Sequence, residues 1–398
     1  MSLTDLWKSS KWQLEDKHIQ QIIAFAGRSG RLRDGNDSSE ELREYLTQVP
    51  SDFLSRYAEE CLDPKGRFDN SGLALQDIIN QVGNRLGFNV TSGRYRGTTG
   101  QIGFDGAWLS AEGHLIVVEV KTTDAYRLDL NVIANYRRAL IMEGKSTGDC
   151  SSILIVVGRE DTGDLEAQIR GSRHAWDIRL ISVDALTRLM KLKEEVDDPK
   201  IVRKIGDILI PREFTKLDGI IDIVFSAAED VLQGDTLLER SDPAETPTKK
   251  SPTGPILLAG TFHELCLSRI EQSTGMLLVK KSRTTYQSSD SSKALICMTS
   301  KEYASGSPSS HYWFGFHRYQ KEILETCSAS YVAFGCGSER QLLLIPFPDF
   351  VPWLDEMNTT TSPDDYYWHV RILAKDGDLT LLRKPGYEPI QLSSFLLH

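Results

Sequence analysis

The chain has 398 residues, more than one ordinary domain needs, so its length predicts roughly two or three domains. A hydrophobic share of 40% and a charged share of 26% are typical of a globular protein, and a net charge of −10 argues against an extended nucleic-acid groove. No apolar run approaches the roughly 20 residues of a membrane-spanning helix, and the first residues lack a signal peptide's apolar core. The six scattered cysteines contain no Cys-x-x-Cys pair, so we expect a cytoplasmic protein with reduced thiols and no membrane partner.

Residues 1–70 are predicted to form a helical N-terminal element. Apolar residues recur at helical spacing in residues 16–26 and again in residues 38–46. Between them, residues 28–36 are basic and contain glycine, which is more typical of a solvated loop than of a phosphate contact. We therefore interpret this segment as helices joined by a polar loop.

Residues 71–193 contain the most informative pattern of the chain. Residues 73–88 have the pattern of an amphipathic helix that ends at Gly87, and a Gly- and Arg-rich connection follows. Asp105 comes next, after a Gly-Phe pair, in an apolar and aromatic stretch that predicts one strand of a hairpin. Residues 114–120 are apolar and β-branched, which indicates a buried strand, and residues 110–113 supply the turn.

Two carboxylates and a lysine are expected to meet at the end of this hairpin. Strand alternation puts Glu119 and Lys121 on one face, with Val118 and Val120 on the other. A carboxylate and an ammonium at the end of an apolar strand are costly unless they are paired or bind a metal. Asp105 adds a second carboxylate, so the pattern predicts a divalent metal site beside a cation. The alternative is an exposed Glu–Lys pair near a turn Asp, which would contribute little to stability.

The rest of residues 71–193 completes an α/β core. A helical segment near Asn131, a strand at residues 152–158, a helix at residues 165–176 and a strand at residues 177–182 follow the hairpin. The predicted order is α-β-β-β-α-β-α-β, an α/β fold with a mixed central sheet. This stretch holds fifteen Lys and Arg against fourteen Asp and Glu, a net charge of +1, so the acidity of the chain lies outside it.

In these residues and this element order, the stretch 71–193 resembles the PD-(D/E)XK nuclease superfamily, which has the restriction-endonuclease-like fold. That family has an Asp at a strand start, Glu-x-Lys on the next strand and often an acidic residue or Gln on the preceding helix. The resemblance implies four catalytic residues: Asp105, Glu119, Lys121 and, on the helix, Gln76. Asp77 is the competing choice for the helix position.

The resemblance also implies a cofactor and a reaction. Asp105, Glu119 and the Val120 carbonyl would hold Mg²⁺ through oxygen ligands, with Mn²⁺ as a substitute. The metal would activate water for phosphodiester hydrolysis, while Lys121 positions that water or helps to deprotonate it.

Basic and amide side chains near the motif are candidate contacts for the phosphates of a DNA substrate. The candidates are Arg94, Arg96, Arg137, Arg138, Gln168 and Arg173. A solvated helix face is an equally good interpretation of Arg173 and of Arg170. His174 is interpreted as a packing or supporting residue rather than a ligand.

Beyond residue 193, the sequence predicts a helical connector at residues 194–233 and a linker at residues 234–255. Residues 220–232 are strongly amphipathic, as in a helix that packs on the core or forms a subunit interface. Four prolines among Asp, Ser, Thr and Lys residues are typical of a linker.

Residues 256–398 are predicted to form a separate C-terminal α/β domain. Its first part has the order α-β-β-β-α-β of the core at residues 71–193, without the Asp and Glu-x-Lys motif, and a hairpin is expected around residues 376–377. Its many aromatic residues are typical of a packed core and also of a surface that stacks on bases. We interpret it as a recognition or sensing domain.

Together with the resemblance, these patterns predict a Mg²⁺-dependent DNA endonuclease of prokaryotic antiviral defence or restriction. It would act as a homo-oligomer, a dimer or larger, because cutting both strands needs two sites. One alternative is a repair or recombination nuclease with a partner ATPase, which it would need because the chain has no Gly-x-x-x-x-Gly-Lys-Ser/Thr motif. The other is a non-catalytic nucleic-acid or ligand-binding protein on a nuclease fold.

Overall fold

The chain divides into two compact units, residues 1–227 and 228–398. The structure, a computed structural model, describes residues 2–211 and 258–397 except for residues 28, 67, 96–102, 123–127, 159–161, 305–309, 362–365 and 376. The predicted linker and the amphipathic segment at residues 220–232 lie outside these residues. No helix in the described stretches is both long and apolar enough to cross a membrane.

The N-terminal part of the first unit is helical, as its apolar spacing predicts. Its helices are α1 (Leu3–Ser10), α2 (Trp12–Glu15), α3 (Ile19–Phe25), α4 (Asp37–Gln48) and α5 (Ser51–Leu62). The side chains of Ser2 and Asn36 cap α1 and α4 by accepting hydrogen bonds from main-chain N–H groups of the first turn. Trp7, Tyr45 and Tyr57 are fully buried and join these helices in one core.

A five-stranded sheet follows, with the element order that the sequence predicts. Its elements are α6 (Ser71–Leu86), β1 (Asn89–Ser92), β2 (Gly106–Leu109), β3 (Leu115–Lys121), α7 (Leu130–Met142), β4 (Ser151–Val157), α8 (Gly163–Arg170) and β5 (Ile178–Ser182). The strands lie in the order β1-β2-β3-β4-β5. The first three pair antiparallel, whereas β3, β4 and β5 are parallel. The mixed α/β sheet is therefore confirmed. Two more helices, α9 (Val183–Glu194) and α10 (Pro199–Asp207), come after β5.

Helices pack on both faces of this sheet, and α6 lies closest to the predicted motif. α7 and α8 cover the face that contains Val117 and Ile155. α6 packs at Trp108, which alternation places on the opposite face. A Cβ on Gly83 would lie 2.6 Å from the Trp108 ring, so the helix approaches β2 as closely as only glycine permits. α6 ends at Gly87, whose φ of 101° is a left-handed conformation that glycine adopts without steric cost.

The second unit contains two sheets. Its elements are α11 (Leu258–Thr274), β6 (Val279–Lys280), β7 (Thr285–Gln287), β8 (Lys293–Ser300), β9 (Tyr303–Ala304), β10 (Ser310–His317), α12 (Arg318–Glu325), β11 (Ala329–Cys336), β12 (Leu342–Pro346), α13 (Phe347–Leu354), β13 (Thr359–Thr361), β14 (Tyr366–Lys375), β15 (Asp378–Leu382), β16 (Ile390–Gln391) and a final 3-10 helix (Ser393–Phe395). One sheet has the order β12-β11-β8-β7-β6 and the other β16-β15-β14-β10-β9, with β13 also on β14. The predicted hairpin is present, since Lys375 pairs with Asp378.

The first of these sheets repeats part of the sheet in the first unit. β6, β7 and β8 pair antiparallel, and β11 then lies parallel to β8, as β4 lies parallel to β3. β7 and β8 contain no Asp or Glu, and Ile296 and Met298 of β8 are buried in the apolar core between the two sheets. This sheet therefore has the pairing of the first four strands without the carboxylates, and its β12 is antiparallel to β11 where β5 is parallel to β4.

Candidate metal centre

The hairpin of β2 and β3 brings the three predicted residues together. Gly106 pairs with Val118, and the Asp105 N–H donates to the Val118 carbonyl at 3.1 Å, so Asp105 lies beside Glu119. Lys121 Nζ lies 2.5 Å from Glu119 Oε1, as their shared strand face predicts. The alternation of β3, together with its pairing to β2, thus forms an acid–acid–base cluster.

Asp105 is held through its main chain as well as its carboxylate. Its carbonyl accepts hydrogen bonds from Gln76 Nε2 at 3.0 Å, Asn80 Nδ2 at 2.9 Å and the Gly93 N–H at 2.9 Å. Its Oδ2 accepts from the Val120 N–H at 2.7 Å. The position of this carboxylate is therefore fixed from α6, from the end of β1 and from β3.

Asn80 is the site residue that the sequence reasoning missed. While its amide nitrogen donates to Asp105, its Oδ1 accepts from Trp108 Nε1 at 2.9 Å, so one side chain holds the residue before β2 and a residue within it. A Cβ on Gly106 would lie 2.1 Å from that oxygen, so a larger residue there would displace the Asn80 amide. The available signal was its spacing, because Asn80 lies one helical turn after Gln76 on the same face.

Burial and mutual repulsion perturb the charged groups of this cluster. Burial, and then the charge of Glu119, raises the pKa of Asp105 to about 7, although the Val120 N–H and Lys121 oppose the shift. Burial alone would lower the pKa of Lys121, but Glu119 and Asp105 outweigh it, so the net shift is upward. Lys121 is therefore an ammonium ion at neutral pH, and the two carboxylates favour a further cation.

One carboxylate oxygen of the cluster has no hydrogen-bond partner in the described part of the chain. Glu119 Oε2 is buried and unsatisfied, whereas Oε1 is paired with Lys121. An unpaired buried carboxylate oxygen is costly, and bound Mg²⁺, which prefers oxygen ligands, would satisfy it. The described residues contain no group of three or more His, Cys, Asp or Glu side chains suited to a metal, and the candidate site has two carboxylates.

The two candidates on α6 differ sharply in their contacts. The Gln76 amide faces the main chain of Asp105, which places it at the site, and its catalytic role stays a prediction. The carboxylate of the competing choice, Asp77, is paired within the protein and does not face the hairpin. Arg43 Nε lies 2.8 Å from its Oδ1, and the Tyr95 hydroxyl donates to its Oδ2. Adjacent helical residues diverge by about 100°, so only one of the two can face the hairpin.

Tyr136 is a second residue near the cluster that the sequence reasoning did not select. It is half-buried on α7 and packs against the core that contains β3 and β4. Burial, and then the charges of Glu119 and Asp105, raises its pKa, while Lys121 opposes the shift. Its phenol therefore belongs to the surroundings of the two carboxylates.

Two of the predicted phosphate contacts are engaged within the protein. Arg137 forms an ion pair with Asp177 at 2.8 Å and also donates to the Ser151 hydroxyl and the Gly148 carbonyl. Gln168 accepts from the N–H of Leu128 at 3.1 Å and donates to its carbonyl at 2.6 Å. Both side chains fix local structure, and their contact with substrate stays a prediction.

Three of the remaining candidates are exposed, and Arg96 lies outside the described residues. Arg94 is in the connection after β1, and Arg138 is on α7. α8 ends at Arg170, so Arg173 lies in the following turn and not on the helix that the sequence predicts. Arg173 contacts His174 and donates to Asn131 Oδ1 at 3.1 Å, beside a groove of about 880 Å³ between α7 and α8.

Comparisons with known proteins add little to this geometry. No protein-family model matches the chain, and no curated protein matches it. A solved complex of the restriction endonuclease PspGI with its substrate DNA is similar at a TM-score of 0.22 and 15% sequence identity, over 58% of this chain and 94% of that chain. A TM-score this low carries no argument, so the functional conclusion rests on the site itself.

Proposed function

We propose that the protein is a metal-dependent nuclease that hydrolyses phosphodiester bonds in DNA, on a restriction-endonuclease-like core. The observation that carries this proposal is the convergence of Asp105 and Glu119 beside the Lys121 ammonium, with Glu119 Oε2 buried and unsatisfied. Such a cluster is unfavourable without a bound cation, because burial and repulsion both penalise the second negative charge.

The oxygens for a metal can be named. Because Asp105 Oδ2 accepts from the Val120 N–H, Oδ1 is the oxygen left for a metal, together with Glu119 Oε2 and the Val120 carbonyl. Bound Mg²⁺ or Mn²⁺ would supply a water of lowered pKa and offset negative charge on the phosphate. The antiviral or restriction role and the choice of DNA come from the family resemblance, and exposed Arg94, Arg138 and Arg173 are compatible with a phosphate backbone.

Lys121 acts in this proposal by its charge. Its raised pKa keeps it protonated at neutral pH, so it orients water and stabilises the charge that develops on the phosphate. The carbonyl contacts from Gln76 and Asn80 hold Asp105 in place while substrate binds. Removing a donor that stabilises developing charge typically slows an enzyme by about 10² to 10³-fold.

DNA cleavage by wild type and Lys121→Ala tests the proposal. Supercoiled plasmid, single-stranded DNA and RNA of matched length would each be incubated with Mg²⁺, Mn²⁺ or EDTA. We expect metal-dependent cleavage of DNA that falls by about 100-fold or more in Lys121→Ala. Lys145→Ala is the matched control, because Lys145 is an exposed lysine paired with Glu143. Equal cleavage by Lys121→Ala and wild type, or cleavage that persists in EDTA, would contradict the proposal.

A further inference from the structure

The sheet β16-β15-β14-β10-β9 of the second unit has two faces of different composition. Along β10, Tyr312, Phe314 and Phe316 are buried in the core, whereas the alternate residues are half-exposed. Those alternate residues are His311, Trp313, Gly315 and His317. β14 shows the same alternation, with Trp368 and Val370 buried. The outer face therefore carries aromatic and imidazole rings that the packed core does not use.

Five rings on this face form a continuous group, called the ring row below. His369 stacks on Tyr367 with ring centroids 5.3 Å apart and 23° between planes. Tyr367 lies 5.2 Å from His317, which stacks on Tyr319 at 5.3 Å and 27°. Trp313 stands edge-on to Tyr367 and to His369, at 87° and 80°. The ring row thus crosses from β14 over β10 to the start of α12.

A glycine leaves a gap between these rings. Gly315 lies in the middle of β10, where a Cβ would be 3.4 Å from the Trp313 ring, 3.5 Å from Tyr367 and 3.7 Å from His317. These are ordinary contact distances, so a side chain at position 315 would fit and would occupy the gap. Glycine inside a strand often marks a place where a ligand approaches the backbone.

Hydrogen bonds fix the orientation of Trp313 and His369. Trp313 Nε1 can only donate, and it lies 3.3 Å from His369 Nδ1, so that nitrogen accepts and is unprotonated. His369 Nε2 then carries the proton toward Thr360 Oγ1 at 2.7 Å. Trp313 and His369 are therefore held in place before any ligand binds, which lowers the entropy cost of stacking on them.

The charges on this face favour a polyanion. In the part of these strands that the structure describes, Arg371 and Lys375 lie on the outer face, and Asp378 pairs across from Lys375 at the hairpin end. Arg371 is exposed and pairs directly opposite Trp313, next to the ring row. Cations thus outnumber anions here, although the whole chain carries a net charge of −10.

We propose that this outer face binds single-stranded nucleic acid by stacking its unpaired bases on the ring row, with Arg371 contacting the phosphate backbone. Stacked rings beside a basic residue are the features that bind unpaired bases without sequence preference. The proposal does not rest on the nuclease assignment, because binding on this face needs neither the metal nor the carboxylates of the first unit.

A fluorescence titration of the full-length protein in EDTA tests this binding, since EDTA removes any metal-dependent cleavage. The probes are a 12-nucleotide oligothymidylate, an abasic oligonucleotide of the same length and a DNA duplex of the same length. We expect tryptophan quenching by the oligothymidylate that is absent in Trp313→Phe, and weaker binding of the two other probes. Tyr367→Ala and Gly315→Val should each lower affinity about tenfold or more, whereas Tyr367→Phe should keep it.

The control is Tyr387→Ala, because Tyr387 is an exposed tyrosine of the same unit outside the ring row. Equal affinity for the abasic and the base-containing probe would overturn the proposal, since binding would then be electrostatic only. Unchanged affinity in both Tyr367→Ala and Gly315→Val, or an equal loss in Tyr387→Ala, would overturn it as well. Gly315→Val keeps the test decisive if Tyr367→Ala fails to fold, because its added atoms meet only ordinary contacts at Cβ.

Discussion

Asp105 shows how single residues set up the candidate centre. Its carbonyl accepts from Gln76, Asn80 and Gly93, and its carboxylate accepts from Val120. Because both main chain and side chain are anchored, Asp105 cannot turn away from Glu119 to relieve the repulsion between them. The strain of two adjacent carboxylates is thus maintained by neutral amide groups, which add no charge to compete with a metal.

Replacing Asn80 should damage both stability and the site. Asn80→Ala removes one donor to Asp105 and leaves the buried Trp108 Nε1 without its acceptor, which costs about 1–3 kcal/mol. Asn84→Ala is the control, because Asn84 is exposed on the same helix. Chemical denaturation and cleavage rates of the two variants check this. If Asn80→Ala were as well tolerated as Asn84→Ala, the positioning role would be wrong.

Asp77 should make stability depend on pH. Burial, opposed by Arg43, raises its pKa from 3.8 to about 6 in the folded chain. The folded chain then binds more protons than the unfolded chain between about pH 4 and pH 6, so this group's contribution to stability falls as pH rises through that window, by roughly 3 kcal/mol at most. Asp77→Asn removes this titrating group. The melting temperature of the variant, relative to that of wild type, should therefore rise from pH 4 to pH 7. A difference that does not change with pH would contradict this.

The sequence was sufficient for part of the site. Glu119 and Lys121 could be placed together because strand alternation is local. Asp105 could be placed beside them because the short turn of the hairpin restricts which residues of the two strands pair. Asn80 was missed although its spacing from Gln76 was a signal, and Gly93 could not be placed, since its role depends on how β1 meets Asp105 in space. The ion pair of Arg137 with Asp177 was not foreseen, because it joins residues distant in sequence.

At the scale of elements, the contact between α6 and β2 determines the geometry of the hairpin. Gly83 faces the Trp108 ring, and Asn80, one turn earlier, binds the indole nitrogen of the same side chain. This close approach is what allows the amides of α6 to reach the Asp105 carbonyl. The distance between α6 and β2 therefore determines whether the α6 amides can hold Asp105 at the candidate site.

Two glycines of α6 provide a matched test of that spacing. Gly83→Ala puts a Cβ 2.6 Å from the Trp108 ring. The resulting overpacking should outweigh the roughly 1 kcal/mol that alanine gains over glycine in a helix, so we expect a net destabilisation of the first unit by about 1–3 kcal/mol. Gly72→Ala puts its Cβ 3.6 Å from Thr122, an ordinary contact, and should be neutral or slightly stabilising. Denaturation of both variants checks this, and equal effects would show that the close approach is not limiting.

The order of the helices and strands along the chain was easier to predict than the pairing of the strands. The order around the motif follows from apolar periodicity, and the mixed sheet follows from one hairpin and two helical crossovers. The two sheets of the second unit were not predicted, because β10 pairs with β14 across a long stretch of chain that contains β11 and β12 of the other sheet. Local patterns do not specify such pairings.

At the scale of the whole molecule, two units with separate cores should unfold separately. The core of the first unit contains β3 and β4, and that of the second contains both of its sheets. We expect two calorimetric transitions. Gly83→Ala should lower the midpoint temperature of one transition. Phe350→Ala removes a fully buried ring in the second unit and should lower the midpoint of the other, because it reduces the free energy of unfolding of that unit by about 3–5 kcal/mol. One transition that shifts as a whole in both variants would contradict this.

Binding of Mn²⁺, followed by electron paramagnetic resonance, tests the candidate centre most directly, because it does not depend on the choice of substrate. Asp105→Asn keeps the shape of the side chain and removes its charge, and Glu112→Gln makes the same charge change at an exposed position in the β2–β3 turn. We predict that wild type and Glu112→Gln bind Mn²⁺ with the same affinity and that the affinity of Asp105→Asn is lower by about tenfold or more. Equal binding by Asp105→Asn, or no binding by wild type, would contradict a metal centre at Asp105 and Glu119.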